Sequence, residues 1–209
     1  ESEHDIVESS HASSSVSWAD GISRAFHVRG ERDRYVVAVV GDGALTGGMT
    51  WEAMNNISHD NDRNLIIVVN DNGRSYAPTI GGLARFLGSV RTQKSYRFFR
   101  GGSEAFFNLF GPFGRAVYRG FRGAARGFVS RFANNESLYS NLDIKYVGPI
   151  DGHNLQDLEK AFAQAKAYRQ PVIVHVITEK GRGFPPAVND EADQFHAVGQ
   201  IDPVTGTPM

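Results

Sequence analysis

Two runs of apolar, mostly β-branched residues, each ended by a polar turn, constrain this chain more than any other feature. Tyr35-Val36-Val37-Ala38-Val39-Val40 is apolar throughout and stops at Gly41-Asp42-Gly43. Leu65-Ile66-Ile67-Val68-Val69 repeats the pattern and stops at Asn70-Asp71-Asn72-Gly73. Continuous rather than alternating apolar runs predict strands buried on both faces, as in a parallel sheet. Between them, Thr46 to His59 carries Met49, Ala53, Met54 and Ile57 with helical character. Strand, helix and strand in this order predict a right-handed parallel unit.

The rest of the chain continues the alternation. Residues 11–28 read as a tightly packed helix of small and apolar residues, N-capped from Ser13-Ser14-Ser15, and Gly30 to Arg34 reads as a charged turn. Ile144 to Val147 is a short strand ending at Gly148-Pro149. Asn154 can cap a helix from Leu155 to Arg169, with Leu155, Leu158, Phe162 and Ala165 on its apolar side. Gln170-Pro171 stops that helix, and Val172 to Ile177 is another buried strand. The predicted fold class is α/β: a parallel β-sheet flanked by helices.

Residues 76–135 break the rhythm and form an insertion too long for a plain loop. Ten Arg or Lys residues stand there against the single acid Glu104, interleaved with ten phenylalanines. Such a stretch can bind nucleic acid or an anionic membrane. Phe at helical spacing with Arg opposite equally makes short amphipathic, partly mobile helices covering the domain, and this reading is preferred. It predicts no nucleic-acid and no membrane partner.

At 209 residues the chain suits one sizeable domain over 1–209. With no cysteine it has neither a disulfide framework nor a thiolate metal site, which fits a reducing, cytoplasmic setting. A net charge of −1 selects no partner, and no apolar run approaches the roughly 18–20 residues that span a bilayer. The chain opens on Glu1 and stops in a polar tail, as an excised domain would.

Both polar turns are expected at the carboxyl edge of the sheet, where open α/β sheets bind ligands. The 30-residue step from Asp42 to Asn72 fits one strand–helix–strand unit. A carboxylate and an amide oxygen converging there suit Mg²⁺, which takes octahedral oxygen ligands and recruits phosphate. The carbonyl of Arg74 could add a ligand. Gly43 and Ala44 would let backbone amides approach a diphosphate at the start of the following helix. No Gly-Lys-Ser/Thr supports a Walker site, and no Gly-x-Gly-x-x-Gly follows these strands. Two ordinary strand-end turns are the competing reading.

The blocks Gly41-Asp42-Gly43-Ala44-Leu45-Thr46-Gly47-Gly48-Met49 and Glu52-Ala53-Met54-Asn55 resemble the 1-deoxy-D-xylulose-5-phosphate synthase family. So do Ser2-Glu3-His4-Asp5, Ser10-His11-Ala12-Ser13, and Tyr146-Val147-Gly148-Pro149-Ile150-Asp151-Gly152-His153. Lys180-Gly181-Arg182-Gly183-Phe184 and Phe195-His196-Ala197-Val198 complete the set, in family order. The resemblance implies the diphosphate domain of a thiamine diphosphate-binding fold within the transketolase superfamily. It further implies that Asp42, Asn72 and the Arg74 carbonyl hold Mg²⁺. Ser10, His11, Ala12, Gly43, Ala44, Asn72 and Phe184 would contact thiamine diphosphate. Lys180 would lie near the diphosphate and His196 near the substrates, both with catalytic roles.

The implied activity joins pyruvate to glyceraldehyde 3-phosphate with loss of carbon dioxide, in a homodimer, feeding isoprenoid, thiamine and pyridoxal synthesis. Family members also have an upstream histidine segment and a following glutamate-bearing domain, so the isolated chain is expected to be inactive. The alternatives are another enzyme of the superfamily and a non-catalytic binding subunit that needs a partner chain. Of the remaining histidines, His175 reads as a satisfied core residue, His4, His27 and His59 as surface positions, and Asp151-Gly152-His153 as a structural turn.

Overall fold

The first two strands lie side by side and parallel, β1 (Val36–Gly41) against β2 (Leu65–Asp71), in the computed structural model of the chain. The structure describes residues 3–4, 6–7, 11–60, 62–74 and 144–209. Two further strands, β3 (Lys145–Asp151) and β4 (Val172–Ile177), complete a sheet of order β1-β2-β4-β3 in which every pairing is parallel. The insertion at 76–135 lies outside the described residues. Among those residues, no helix is long and apolar enough to cross a membrane.

Alternate residues of each strand feed two cores, as the period of two requires. Helices α1 (Ser15–Val28) and α2 (Gly48–His59) cover the face carrying Val36, Ala38, Val40, Ile67, Val69 and Ile173. Helix α3 (Leu155–Tyr168) covers the face carrying Ile66, Val68, Val147 and Val174. Side chains such as Leu45, Met54, Ile57, Ile67 and Ile173 are entirely enclosed, each worth about 1.5–3 kcal/mol of burial. β2 and β4 thus match the expectation of two-sided burial.

β1 departs from it: Val37 is 52% and Val39 63% exposed. The strand stands at the edge of the sheet that the described residues form. α3 packs on β3 and β4 and meets this side through Tyr35, whose hydroxyl donates to the Lys166 carbonyl at 2.8 Å, before the strand begins. Other boundaries shift as well. β3 runs on through Gly148-Pro149 to Asp151, because the register shift between Val147 and Ile150 accommodates a proline that has no N–H to donate. Leu155, expected on the apolar side of α3, is exposed, while Ala161 and Ala165 are buried. His27 is only half-buried, its Nδ1 2.8 Å from Arg32 Nη1.

The helix ends explain how the sheet edge is shaped. α3 starts as expected, with Asn154 accepting from the Asp157 N–H at 3.2 Å. α1 does not: Ser14 makes no side-chain cap and instead donates to the His11 carbonyl at 2.8 Å. α2 begins at Gly48, after a 3₁₀ turn over Ala44–Thr46. Ser13, at φ 71°, donates its hydroxyl to the Ala44 carbonyl at 2.5 Å. A Cβ at Gly47 would collide with that hydroxyl and lie 2.7 Å from Ser13 Cβ. Gly47→Ala is expected to destabilise the chain by about 1–3 kcal/mol, read from urea denaturation midpoints, and Ser13→Gly in the same chain to recover most of the loss.

Candidate active site

Strands β1 and β2 end together, with Gly41 opposite Asn70, so the two polar turns emerge side by side. The Asp42 N–H donates to the Asn70 carbonyl at 3.1 Å, extending the ladder by one bond. The Asp42 carboxylate is 2% exposed, and its Oδ2 accepts the Gly73 N–H at 3.0 Å. Asn72 Oδ1 accepts the Arg74 N–H at 3.1 Å, which folds the loop into an Asx turn and brings the Arg74 main chain back toward its side chain.

This donor set suits a hard cation. A carboxylate, an amide oxygen and a main-chain carbonyl offer oxygen only, as Mg²⁺ prefers, and leave positions for phosphate oxygens or water. A carboxylate this deeply buried is costly unless opposed by hydrogen bonds and positive charge. The described residues contain no cluster of three His, Asp or Glu side chains that could hold a metal alone.

A second group of predicted residues is strapped alongside. The Ser13–Ala44 hydrogen bond, the Thr50 hydroxyl to the Ser13 carbonyl at 3.2 Å, and the Ser14–His11 bond hold residues 11–14 on the turn that carries Gly43 and Ala44. His11 and Ala12, both exposed, therefore lie within two residues of that attachment. Gly43 and Ala44 sit at the 3₁₀ turn rather than at the start of α2, which corrects the expectation: Gly47, extended at ψ 141°, interrupts the helical path. Ser10 lies outside the described residues. Ser13, expected only within the helix cap, makes the bond to Ala44 instead, because a serine in a polar run carries no signal of an acceptor 31 residues away.

The segment after β4 supplies the rest. The Thr178 N–H donates to the Asp71 carbonyl at 3.0 Å, and its hydroxyl to Asn70 Oδ1 at 2.6 Å. The next residue, Glu179, donates its N–H to His153 Nε2 at 2.9 Å, so the Asp151–His153 turn anchors the loop carrying Lys180. Lys180 Nζ lies 2.9 Å from His196 Nδ1. An ammonium can only donate, so this ring nitrogen accepts and the imidazole carries its proton on Nε2. Burial is the largest influence on Lys180 and lowers its pKa; the Asp193 charge opposes this, Arg74 adds to it, and Asp42 opposes it. Lys180 therefore shares its surroundings with Asp42 and Arg74.

The Arg74 guanidinium donates to the Ala192 carbonyl at 2.8 Å, a contact the sequence did not reveal because only the main chain of Arg74 was assigned a role. Phe184, just before the short helix α4 (Pro185–Val188), meets Phe195 edge to face with centroids 6.0 Å apart. The structure thus brings Asp42, Asn72, Arg74, Lys180 and His196 to one place, with Phe184 on the same loop system. Buried His175, with both ring nitrogens engaged, is the satisfied core histidine expected.

The model of the 1-deoxy-D-xylulose-5-phosphate synthase N-terminal region matches residues 1–178. The chain belongs to this family. Curated relatives named 1-deoxy-D-xylulose-5-phosphate synthase include one from Clavibacter sepedonicus, 70% identical over 209 residues, covering all of this chain and 32% of the relative. One from Leifsonia xyli subsp. xyli is 70% identical over 210 residues, again 100% of this chain and 32% of the relative. One from Tropheryma whipplei (strain Twist) is 65% identical over 206 residues, 99% of this chain and 33% of the relative. The chain therefore spans about a third of the length of the synthases it matches.

The loop bearing His196 is tied by Asp190, whose carboxylate accepts the N–H groups of Asp193 at 3.0 Å and Gln194 at 2.8 Å. These bonds hold its pKa below the ordinary aspartate value. A depressed carboxylate pKa means the tie is fully present above the unfolded value, near about 4, and is lost as pH falls through the folded value. Protection of the Asp193 and Gln194 amides, measured against intrinsic exchange at the same pH, is expected to fall in that acidic window. Asp190→Asn should flatten the pH dependence.

Proposed function

We propose that this chain is the metal- and diphosphate-holding part of a thiamine diphosphate-dependent 1-deoxy-D-xylulose-5-phosphate synthase. The carrying observation is the convergence of Asp42 and Asn72 at the ends of adjacent parallel strands, with Lys180 facing the same ground. Family membership supports the overall reaction, a decarboxylative condensation of pyruvate with glyceraldehyde 3-phosphate at the entrance to isoprenoid, thiamine and pyridoxal synthesis. Bound thiamine diphosphate supplies the electron sink for the decarboxylation.

In this reading, Asp42, the Asn72 amide oxygen and the Arg74 carbonyl would hold Mg²⁺, whose charge would offset that of the diphosphate. The Gly43 and Ala44 amides approach the phosphate oxygens from the 3₁₀ turn. His11 and Ala12, with Ser10 beside them, and Phe184 line the cofactor. Lys180 supplies a point charge toward phosphate from surroundings that it shares with Asp42 and Arg74. His196, held by Lys180 through Nδ1, directs its Nε2 proton toward substrate. The enzyme works in the cytoplasm as a homodimer, and residues 1–209 form part of one domain. Sedimentation velocity tests the dimer: a species of twice the chain mass supports it, and a lone monomer at high concentration counts against it.

Calorimetric titration with thiamine diphosphate and Mg²⁺ tests the site. Heat that depends on metal is expected for the parent chain, with binding weakened at least about tenfold in Asp42→Ala, where the only side-chain anion of the proposed ligand set is lost. Equal binding in both proteins would refute the assignment of Asp42. The isolated chain should form no product from pyruvate and glyceraldehyde 3-phosphate, checked by a coupled assay. Product formation by it alone would overturn the view that catalysis needs further segments.

A further inference from the structure

The sheet face turned toward α1 and α2 carries a row of polar groups that the site does not absorb. His175 on β4 is 1% exposed, and its Nε2 lies 2.9 Å from Asp71 Oδ2, itself wholly buried on β2. On the other side, His175 Nδ1 lies 2.6 Å from the Tyr146 hydroxyl on β3. The bonding order follows from chemistry. An ionised Asp71 only accepts, so Nε2 donates to it and Nδ1 accepts the phenolic proton. One chain of hydrogen bonds therefore runs Tyr146 to His175 to Asp71, across three strands.

The other five positions of β4 are Val172, Ile173, Val174, Val176 and Ile177, all buried. An apolar residue at 175 would continue that pattern, and replacing buried polar sets with well-packed apolar ones is often neutral or stabilising. The main chain is also close-packed at this position. A Cβ at Gly148, where φ is 141°, would lie 2.7 Å from the His175 carbonyl oxygen, so glycine lets β3 close on β4 at this residue.

What the chain holds is the end of β2. Asn70, Asp71 and Asn72 are each tied differently: to the Thr178 hydroxyl, to His175, and to the Arg74 N–H. A slip of one residue would exchange the faces of Asp71 and Asn72, because side chains alternate along a strand. Pinning Asp71 to the covered face fixes which residue reaches the site.

We propose that Tyr146, His175 and Asp71 form a positioning chain that locks the register of the β2 terminus and so presents Asn72, rather than Asp71, to the metal. The inference rests on the metal-site reading above, and its test separates the two. Amide exchange of Gly73 and Arg74 is measured by NMR in the metal-free 209-residue chain, and Mn²⁺ with thiamine diphosphate is titrated in parallel. His175→Leu is expected to speed exchange at Gly73 and Arg74 by about tenfold or more, with Ile67 and Val68 unchanged. It should weaken Mn²⁺–cofactor binding by roughly 10–100-fold, as the loss of a partner that orients a metal ligand does. His175→Gln keeps a donor at the position of Nε2 and should restore both to within about threefold of the parent. Tyr146→Phe removes one hydroxyl and is expected to give a smaller change in the same direction.

Unchanged exchange at Gly73 in a folded His175→Leu overturns the proposal. Should that variant not fold, Tyr146→Phe decides: parent-like exchange and affinity overturn it. If the parent itself binds no Mn²⁺ with cofactor, the metal reading falls, while the exchange data still judge the positioning chain.

Discussion

The site depends on the parallel pairing of β1 with β2, and above all on the fact that both strands stop at the same level. Two backbone-linked contacts, Asp42 N–H to the Asn70 carbonyl and Gly73 N–H to the Asp42 carboxylate, carry that pairing past the last ladder residues. They convert two turns, distant in sequence, into one oxygen-rich corner. Without the shared endpoint, a buried carboxylate at position 42 would be an expensive charge with no purpose. With it, the carboxylate is enclosed against the neighbouring turn, where the Gly73 N–H opposes its charge.

Around this corner the fold spends its polar side chains on straps between segments. Ser13, Ser14 and Thr50 fasten residues 11–14 to the turn after β1. Thr178 and His153 fasten the loop after β4, and Arg74 fastens the segment near Ala192 to the turn after β2. Each bond is worth only about 0.5–1.5 kcal/mol in net stability. Their larger effect is geometric: each fixes a loop to a strand end, so that flexible connections present side chains from a rigid frame.

Much of this was legible in the sequence, for identifiable reasons. Apolar runs ended by Gly-Asp-Gly and Asn-Asp-Asn predict strands, their parallel sense and the edge where they act. The Asn154 cap and the stop at Gln170-Pro171 give α3 to within a residue. What local pattern could not supply was neighbourhood. The run Val36 to Val40 says nothing of standing at a sheet edge, so the exposure of Val37 and Val39 was missed. Ser13 to Ser15 resemble a helix cap because the acceptor that claims Ser13, the Ala44 carbonyl, is remote. Gly148-Pro149 reads as a stop, although a register shift lets β3 continue through it. His175 was recognised as a core residue, but its partners lie on two other strands and no spacing rule joins them.

The open side of β1 has a consequence for how this chain behaves before it reaches its native state. Val37 and Val39 present an adjoining pair of β-branched side chains on a strand at the margin of the sheet. Margins of this kind act as templates on which a second extended chain can add, and natural folds usually blunt them with charge or cover. Among the described residues, charges stand just before the strand rather than within it: Arg32, Asp33 and Arg34. Charges so placed are of the gatekeeper kind, set at the entry to the strand and not along it. Refolding yield should then be governed by a kinetic contest between intramolecular pairing of β1 with β2 and encounters between chains, the first independent of concentration and the second rising with it.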